Sequence, residues 1–168
     1  YNIPERVYEL LMAVRSSSHE EIYLKPCYVL SYEAQVDPVI EQLSDGLLSE
    51  PSIMPHFAKT ESIMEASAEI AEVKTDFNGR KILLKLIRYL YSREAPLVPV
   101  PSKRSHTGYA YPFLEANIKN FEYEEIFLLL EAGVERGFLT EDFVDVMHLC
   151  SNCHGGFINY REICPKCS

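Results

Sequence analysis

Two CxxC pairs near the end of this sequence constrain its structure more than any other feature. Cys150 and Cys153 form the first pair, Cys164 and Cys167 form the second, and ten residues separate the pairs. Each pair directs two thiolates to one point, so the four sulfurs can surround a single metal ion tetrahedrally, the geometry that zinc favours. Four thiolates leave no coordination position open. We therefore expect one structural Zn²⁺.

The same cysteines allow other uses. Residues 150–154 spell CxxCH, the attachment pattern of c-type haem, although a haem would leave Cys164 and Cys167 without a role. Iron could replace zinc, and two disulfides would require an oxidising compartment. Clustered thiols in a sequence with no visible signal peptide or membrane-length apolar run favour a cytoplasmic protein. Cys27 lies in an apolar run, and we expect it to be a small buried hydrophobic residue.

The charge distribution bears on possible partners. A net charge of −9 argues against general binding of nucleic acid. Residues 80–104, however, contain seven basic side chains and one acidic side chain. This basic segment either faces phosphates or pairs with acidic residues of the same chain, and the second alternative is favoured. The candidates for contact with nucleic acid or a partner are Lys81, Lys85, Arg88, Lys103 and Arg104.

Local patterns predict an α+β fold that is rich in helices. In residues 1–50, a helix over 3–15, an apolar β-type run over 22–30 and a helix after Asp37 form a small α/β segment. Residues 50–55 are expected to be a linker. Residues 56–147 are predicted to form a helix-rich module, and residues 148–168 a zinc ribbon.

The central module has the element order of a winged helix. Helices are predicted over 62–73, 80–92 and 122–136, with Gly137 ending the last one. Extended residues 97–100 and 109–111 flank a polar loop at 102–108, which would be the wing.

Several short blocks in order resemble the TackOD family of thaumarchaeal-type output domains. They are ERGFL at 135–139, FVD at 143–145, HLCSNC at 148–153, NYREIC at 159–164 and CPKC at 164–167. A looser match covers 82–111, with YLYSRE followed by GYAYP. The family pattern has Pro at the position of Ser151 and Gly at that of His154, and His154 introduces a possible rival metal ligand.

The resemblance implies a metal-binding output module of a signalling protein. Family members often follow a receiver domain, and residues 23–47 are similar to the later part of one, although they lack its phosphoacceptor residues. We therefore expect a non-enzymatic, zinc-stabilised module that docks a protein partner. The alternatives are a DNA-binding regulator that uses the basic segment and a thiol–zinc redox switch. The sequence contains no Gly-rich phosphate loop and no nucleophile motif, which argues against an enzyme.

Overall fold

The computed structural model describes residues 3–30, 36–48, 53–72, 81–118, 123–144, 146, 148, 150–152 and 155–156. These residues include seven helices and four strands of two residues each. The helices are α1 (Ile3–Ser16), α2 (Glu20–Tyr23), α3 (Pro38–Leu43), α4 (Ile53–Glu72), α5 (Lys81–Arg93), α6 (Pro112–Asn117) and α7 (Tyr123–Glu135). The strands are β1 (Val29–Leu30), β2 (Leu47–Leu48), β3 (Val100–Pro101) and β4 (Tyr109–Ala110). The predicted helix-rich α+β class is confirmed.

Helix boundaries follow local signals where those signals are strong. At the start of α3, the Asp37 carboxylate accepts a hydrogen bond of 2.9 Å from the Val39 amide, and Pro38 occupies the first turn. At the end of α7, Gly137 adopts a φ of +70°. The Gly137 amide donates to the Val134 carbonyl, which satisfies one of the last helical acceptors. The predictions for α1, α3, α5 and α7 are confirmed to within two residues.

The predicted strand over residues 22–30 is wrong for most of its length. Residues Glu20–Tyr23 form the short helix α2, and only Val29–Leu30 is extended, where it pairs in parallel with Leu47–Leu48. Two glutamates in the first turn favour a helix, because they interact with the positive end of its dipole. Pro26 then separates the helix from the strand, since proline cannot donate a ladder hydrogen bond.

One helix boundary and one whole helix differ from the sequence prediction. The expected linker over 50–55 overlaps α4, which begins at Ile53 and contains Pro55 in its first turn, where a missing amide proton costs nothing. Helix α6 was not predicted. It follows β4 directly, begins with Pro112 and contains only six residues, too few for a clear apolar period.

The predicted extended pair and polar loop are confirmed as a β-hairpin. Strands β3 and β4 pair antiparallel, with Val100 opposite Ala110 and Pro101 opposite Tyr109. The Ser102 amide donates to the Gly108 carbonyl over 2.9 Å and closes the loop. We call residues 102–108 the hairpin loop. Its identity as the wing of a winged helix stays a prediction.

Two hydrophobic clusters form the core. The first lies among α5, α6 and α7, where Leu83, Leu86, Leu114 and Ile126 are buried together with Tyr23 from α2. The second lies between α1 and α3 and includes Ala110 from β4; its buried members are Leu11, Val39, Ile40, Leu43 and Ala110. Each cluster therefore combines side chains from residues 3–48 with side chains from residues 81–130.

A buried ionic network joins the same two parts of the chain. The Asp45 carboxylate forms ion pairs with Arg15 Nη2 at 2.9 Å and with Arg93 Nε at 2.8 Å. The side chains of Arg15, Asp45 and Arg93 are 0%, 2% and 4% exposed. The Cys27 amide also donates to this carboxylate, over 2.8 Å. One carboxylate thus connects the end of α1, the end of α5 and the loop before β1.

Backbone carbonyls accept several of the remaining guanidinium protons of the network. Arg15 donates to the carbonyls of Leu43, Tyr23 and Lys25 over 2.8 to 2.9 Å. Arg93 donates to the Leu24 carbonyl over 2.9 Å. These contacts compensate the positive charge that the single carboxylate does not balance, as a buried cation requires.

Replacing Asp45 is expected to destabilise the fold strongly. Asp45→Asn removes the charge that faces two buried guanidinium groups, and breaking such a pair costs about 3 kcal/mol or more. Chemical denaturation followed by circular dichroism should show this loss in the free energy of unfolding. Glu9→Gln, on the exposed side of α1, is the control and should change stability by less than about 0.5 kcal/mol. Equal stabilities of the two variants would contradict the role given to the network.

Candidate functional site

The first CxxC pair is partly described. Cys150 is half-buried, and its amide donates to the Gly155 carbonyl over 3.0 Å across a tight turn at Ser151 and Asn152. The other three predicted zinc ligands, Cys153, Cys164 and Cys167, lie outside the described residues, as does His154. Among the described residues no group of three potential metal ligands occurs. The four-cysteine zinc site therefore stays a prediction.

Gly156, six residues after Cys150, lies directly on the hairpin loop. The Gly156 amide donates to the His106 carbonyl over 3.1 Å. A Cβ atom at Gly156 would lie 1.7 Å from the Thr107 carbonyl oxygen, a distance that no side chain tolerates. Only glycine permits this close approach of two backbones. The contact was not predicted, because a glycine that follows a CxxC pair gives no indication of its distant neighbour.

Arg104 connects the hairpin loop to the N-terminal part of the chain. Its guanidinium lies 2.8 Å from the Glu5 carboxylate in α1 and 3.2 Å from the Asp37 carboxylate at the start of α3. It also lies over the Tyr8 ring, 4.3 Å from the ring centroid. All three ionic side chains are about two-fifths exposed, so each pair contributes at most about 1 kcal/mol. Their main effect is to fix the position of the loop.

Lys85, a second candidate, points into the protein. Its ammonium group donates to the Ser17 carbonyl and to the Asn117 side-chain oxygen, over 2.6 and 2.5 Å. It lies 4.6 Å from the centroid of the Tyr23 ring. Burial lowers the pKa of Lys85 from 10.5 to about 8, although its two oxygen acceptors favour the charged form. This lysine joins α5 to α6 and to the residue that follows α1.

The remaining candidates divide into one paired residue and two exposed ones. Arg88 forms an ion pair with Glu20 at the start of α2. Lys81 and Lys103 are exposed, one at the start of α5 and the other in the hairpin loop. Arg93, which was not among the candidates, is buried on Asp45. In the described part of the basic segment, four of the basic side chains therefore contact other parts of the same chain.

The chain belongs to the thaumarchaeal output domain 1 family, whose model matches residues 74–168. The matched residues contain α5, the hairpin, α6, α7 and all four clustered cysteines, whereas α1–α4 precede them. Membership places the chain among the output domains of signalling proteins. No curated protein and no solved structure matches the chain significantly. The described helices include none that is long and apolar enough to cross a membrane.

The contact between Gly156 and the hairpin loop can be tested by substitution. Gly156→Ala places a methyl group against the Thr107 carbonyl, so the two backbones must separate and their hydrogen bond must break. We expect hydrogen exchange at the residue-156 amide to accelerate by about tenfold, as the loss of one hydrogen bond would produce.

Gly137→Ala is the matched control for that substitution. Its Cβ meets nothing within 4 Å, so its cost of about 1 kcal/mol comes from backbone strain at φ +70° alone. Exchange at residue 156 should stay unchanged in this variant. Equal acceleration in both variants would show that the Gly156 contact does not hold the segment in place.

The lowered pKa of Lys85 predicts a pH dependence of stability. Between about pH 8 and 10.5 the unfolded chain keeps the Lys85 proton that the folded chain has lost, so unfolding becomes less favourable as pH rises. The free energy of unfolding of the wild type should therefore increase relative to that of Lys85→Met from about pH 7.5 to 9.5. The raised pKa values of Tyr23 and Tyr89 affect the free energy of unfolding only at higher pH. A constant difference across this window would contradict the prediction.

Proposed function

We propose that this chain is a non-enzymatic, zinc-stabilised output module that binds a protein partner in a signalling pathway. The observation that supports the proposal is the contact of Gly156, six residues after Cys150, with the hairpin loop, inside the residues that match the output-domain family. A metal bound beside this contact would hold the end of the chain against the helical core. The proposal gives the metal a structural role.

The donor set fits zinc by its chemistry. Cys150 begins a tight turn, as the first residue of a CxxC pair must, and the sequence supplies three more thiols of the same kind. Zn²⁺ bound by four thiolates has no open position for a substrate, so it supplies folding free energy, typically about 10–16 kcal/mol in small zinc modules. A catalytic role for this site is therefore not proposed.

The proposed partner is a protein because of the charge that the surface presents. The chain carries a net charge of −9, and Lys85, Arg88, Arg93 and Arg104 are engaged within the chain. Among the described residues of the basic segment, DNA binding, the alternative, would have to rely on Lys81, Lys103 and a rearrangement of Arg104. Such a surface neutralises few phosphates, and affinity for DNA depends mainly on that number.

Zinc analysis tests the metal part of the proposal. Protein purified under reducing conditions should contain one zinc ion per chain, and Cys150→Ser or Cys164→Ser should lose it together with protection of the Gly156 amide from exchange. Inductively coupled plasma mass spectrometry and hydrogen exchange provide the two measurements.

Cys27→Ser is the matched control, because Cys27 packs at the edge of the second core cluster, remote in sequence from the paired cysteines. It should keep the zinc. Wild-type protein without zinc, or Cys150→Ser protein that keeps a full complement, would refute the structural metal site.

A further inference from the structure

Helix α4 presents two different faces. Its inner face carries the buried residues Ile63 and Ile70 and packs on α5. Thr60, on the same face, forms a hydrogen bond of 2.9 Å with the Tyr28 hydroxyl, and the Lys59 ammonium donates to the Asp45 carbonyl over 2.5 Å. These contacts fix the rotation of the helix, so its opposite face is held toward solvent.

The outer face exposes three large apolar side chains. Met54, Phe57 and Met64 are 76%, 59% and 60% exposed. Because successive helical residues are rotated by about 100°, Met54, Phe57 and Met64 lie on one side of the helix, and Glu61 lies between them. Their separations of three and seven residues are those of the anchors with which a helix contacts another helix. We call this set of three side chains the apolar stripe.

A row of carboxylates begins at Glu61, within the apolar stripe, and continues along one side of it. Glu61, Glu65 and Glu69 are spaced four residues apart and are all exposed. In the described part of the chain none of the three takes part in an ion pair. Like charges at this spacing repel each other and destabilise the helix slightly. A cationic partner would relieve that repulsion.

We propose that the outer face of α4 docks a basic amphipathic helix of the partner protein. The apolar stripe would bury the hydrophobic side of that helix, and the glutamate row would meet its lysines or arginines. Methionine suits such a surface because its flexible, polarisable side chain adapts to different partners. The inference rests on the proposed function, since it specifies where the protein partner binds.

Charge disfavours the simplest competing occupant, a second copy of α4. Two copies packed through their apolar stripes would bring two glutamate rows together, and like charges across an interface oppose association. The helix also precedes the residues that match the output-domain family, so this face is separate from the zinc ribbon along the chain. Its Lys59 contact with Asp45 connects it to the buried ionic network.

The test uses a designed probe and the full chain. The probe is a fluorescent amphipathic peptide of about 20 residues, the length of α4, with leucines on one face and lysines on the other. A second peptide has glutamates in place of the lysines. Fluorescence anisotropy should show saturable binding of the basic peptide, and affinity for the acidic peptide should be lower by at least about tenfold.

Variants then locate the site. Phe57→Ala with Met64→Ala should weaken binding of the basic peptide by at least about tenfold, and Glu61→Gln with Glu65→Gln should weaken it and reduce its salt dependence. Leu10→Ala is the matched control, because Leu10 is an exposed apolar residue on α1, and it should leave affinity unchanged. All substitutions are on exposed positions, and circular dichroism checks that the fold is kept.

Four outcomes would overturn the inference. They are absent binding, equal binding of both peptides, unaltered affinity of the α4 variants, and a concentration-dependent dimer that Phe57→Ala abolishes in analytical ultracentrifugation. Zinc content measured on the same samples separates this inference from the proposed function. Protein that holds zinc but fails to bind the peptide refutes only the docking face, whereas protein without zinc refutes the proposed stabilisation.

Discussion

One buried carboxylate, that of Asp45, determines how the described parts of this chain fit together. Two arginines contribute to the site from different helices, Arg15 from the end of α1 and Arg93 from the end of α5. Both guanidinium groups also lie near the Tyr89 ring, at 5.0 and 4.3 Å from its centroid, and that ring stacks on Phe113. Removing charges from water is costly, so the arrangement persists only while every member is present. The N-terminal helices therefore depend on the matched output domain, and the dependence is mutual.

The hairpin extends this connection toward the cysteines. Arg104 connects one side of the hairpin loop to Glu5 and Asp37. On the other side of the loop, Gly156 packs against the Thr107 backbone. A chain of contacts thus runs from α1 and α3, through the loop, to the segment after Cys150. In the proposed function, this series of contacts would let the position of the N-terminal segment influence the metal-bearing end. It would equally let metal binding influence the N-terminal segment.

The sequence predicts features whose signals are local. Asp37 followed by Pro38 identifies the start of α3, and the apolar period of α5 together with Gly137 after α7 locates those helices, because caps and periodicity depend on adjacent residues alone. The four cysteines likewise predict a metal site through their spacing, and that site stays a prediction. Short elements such as α2 and α6 are missed or mistaken for strands, since four or six residues are too few to show a period.

Contacts between distant residues could not be predicted in the same way. Arg15 and Asp45 are 30 residues apart, and Asp45 and Arg93 are 48 apart. No local pattern distinguishes Arg93, which is buried, from Lys81, which is exposed, because both lie on the same basic helix. The excess of basic residues in this segment favours intramolecular pairing, and the pairs formed by Arg88, Arg93 and Arg104 agree with that prediction. Only the fold reveals which acids they meet.

Native-state hydrogen exchange, read at single amides over a series of denaturant concentrations, tests most directly whether the Asp45 network unites the two parts of the chain. The Asp45 amide, which donates to the Cys27 carbonyl over 2.6 Å, reports on the N-terminal part, and buried amides of α5 report on the matched domain. The network predicts that both open with the same free energy and the same denaturant dependence, in one cooperative event. Exchange of the Asp45 amide through an opening of lower free energy and weaker denaturant dependence, while the α5 amides stay protected, would contradict this prediction.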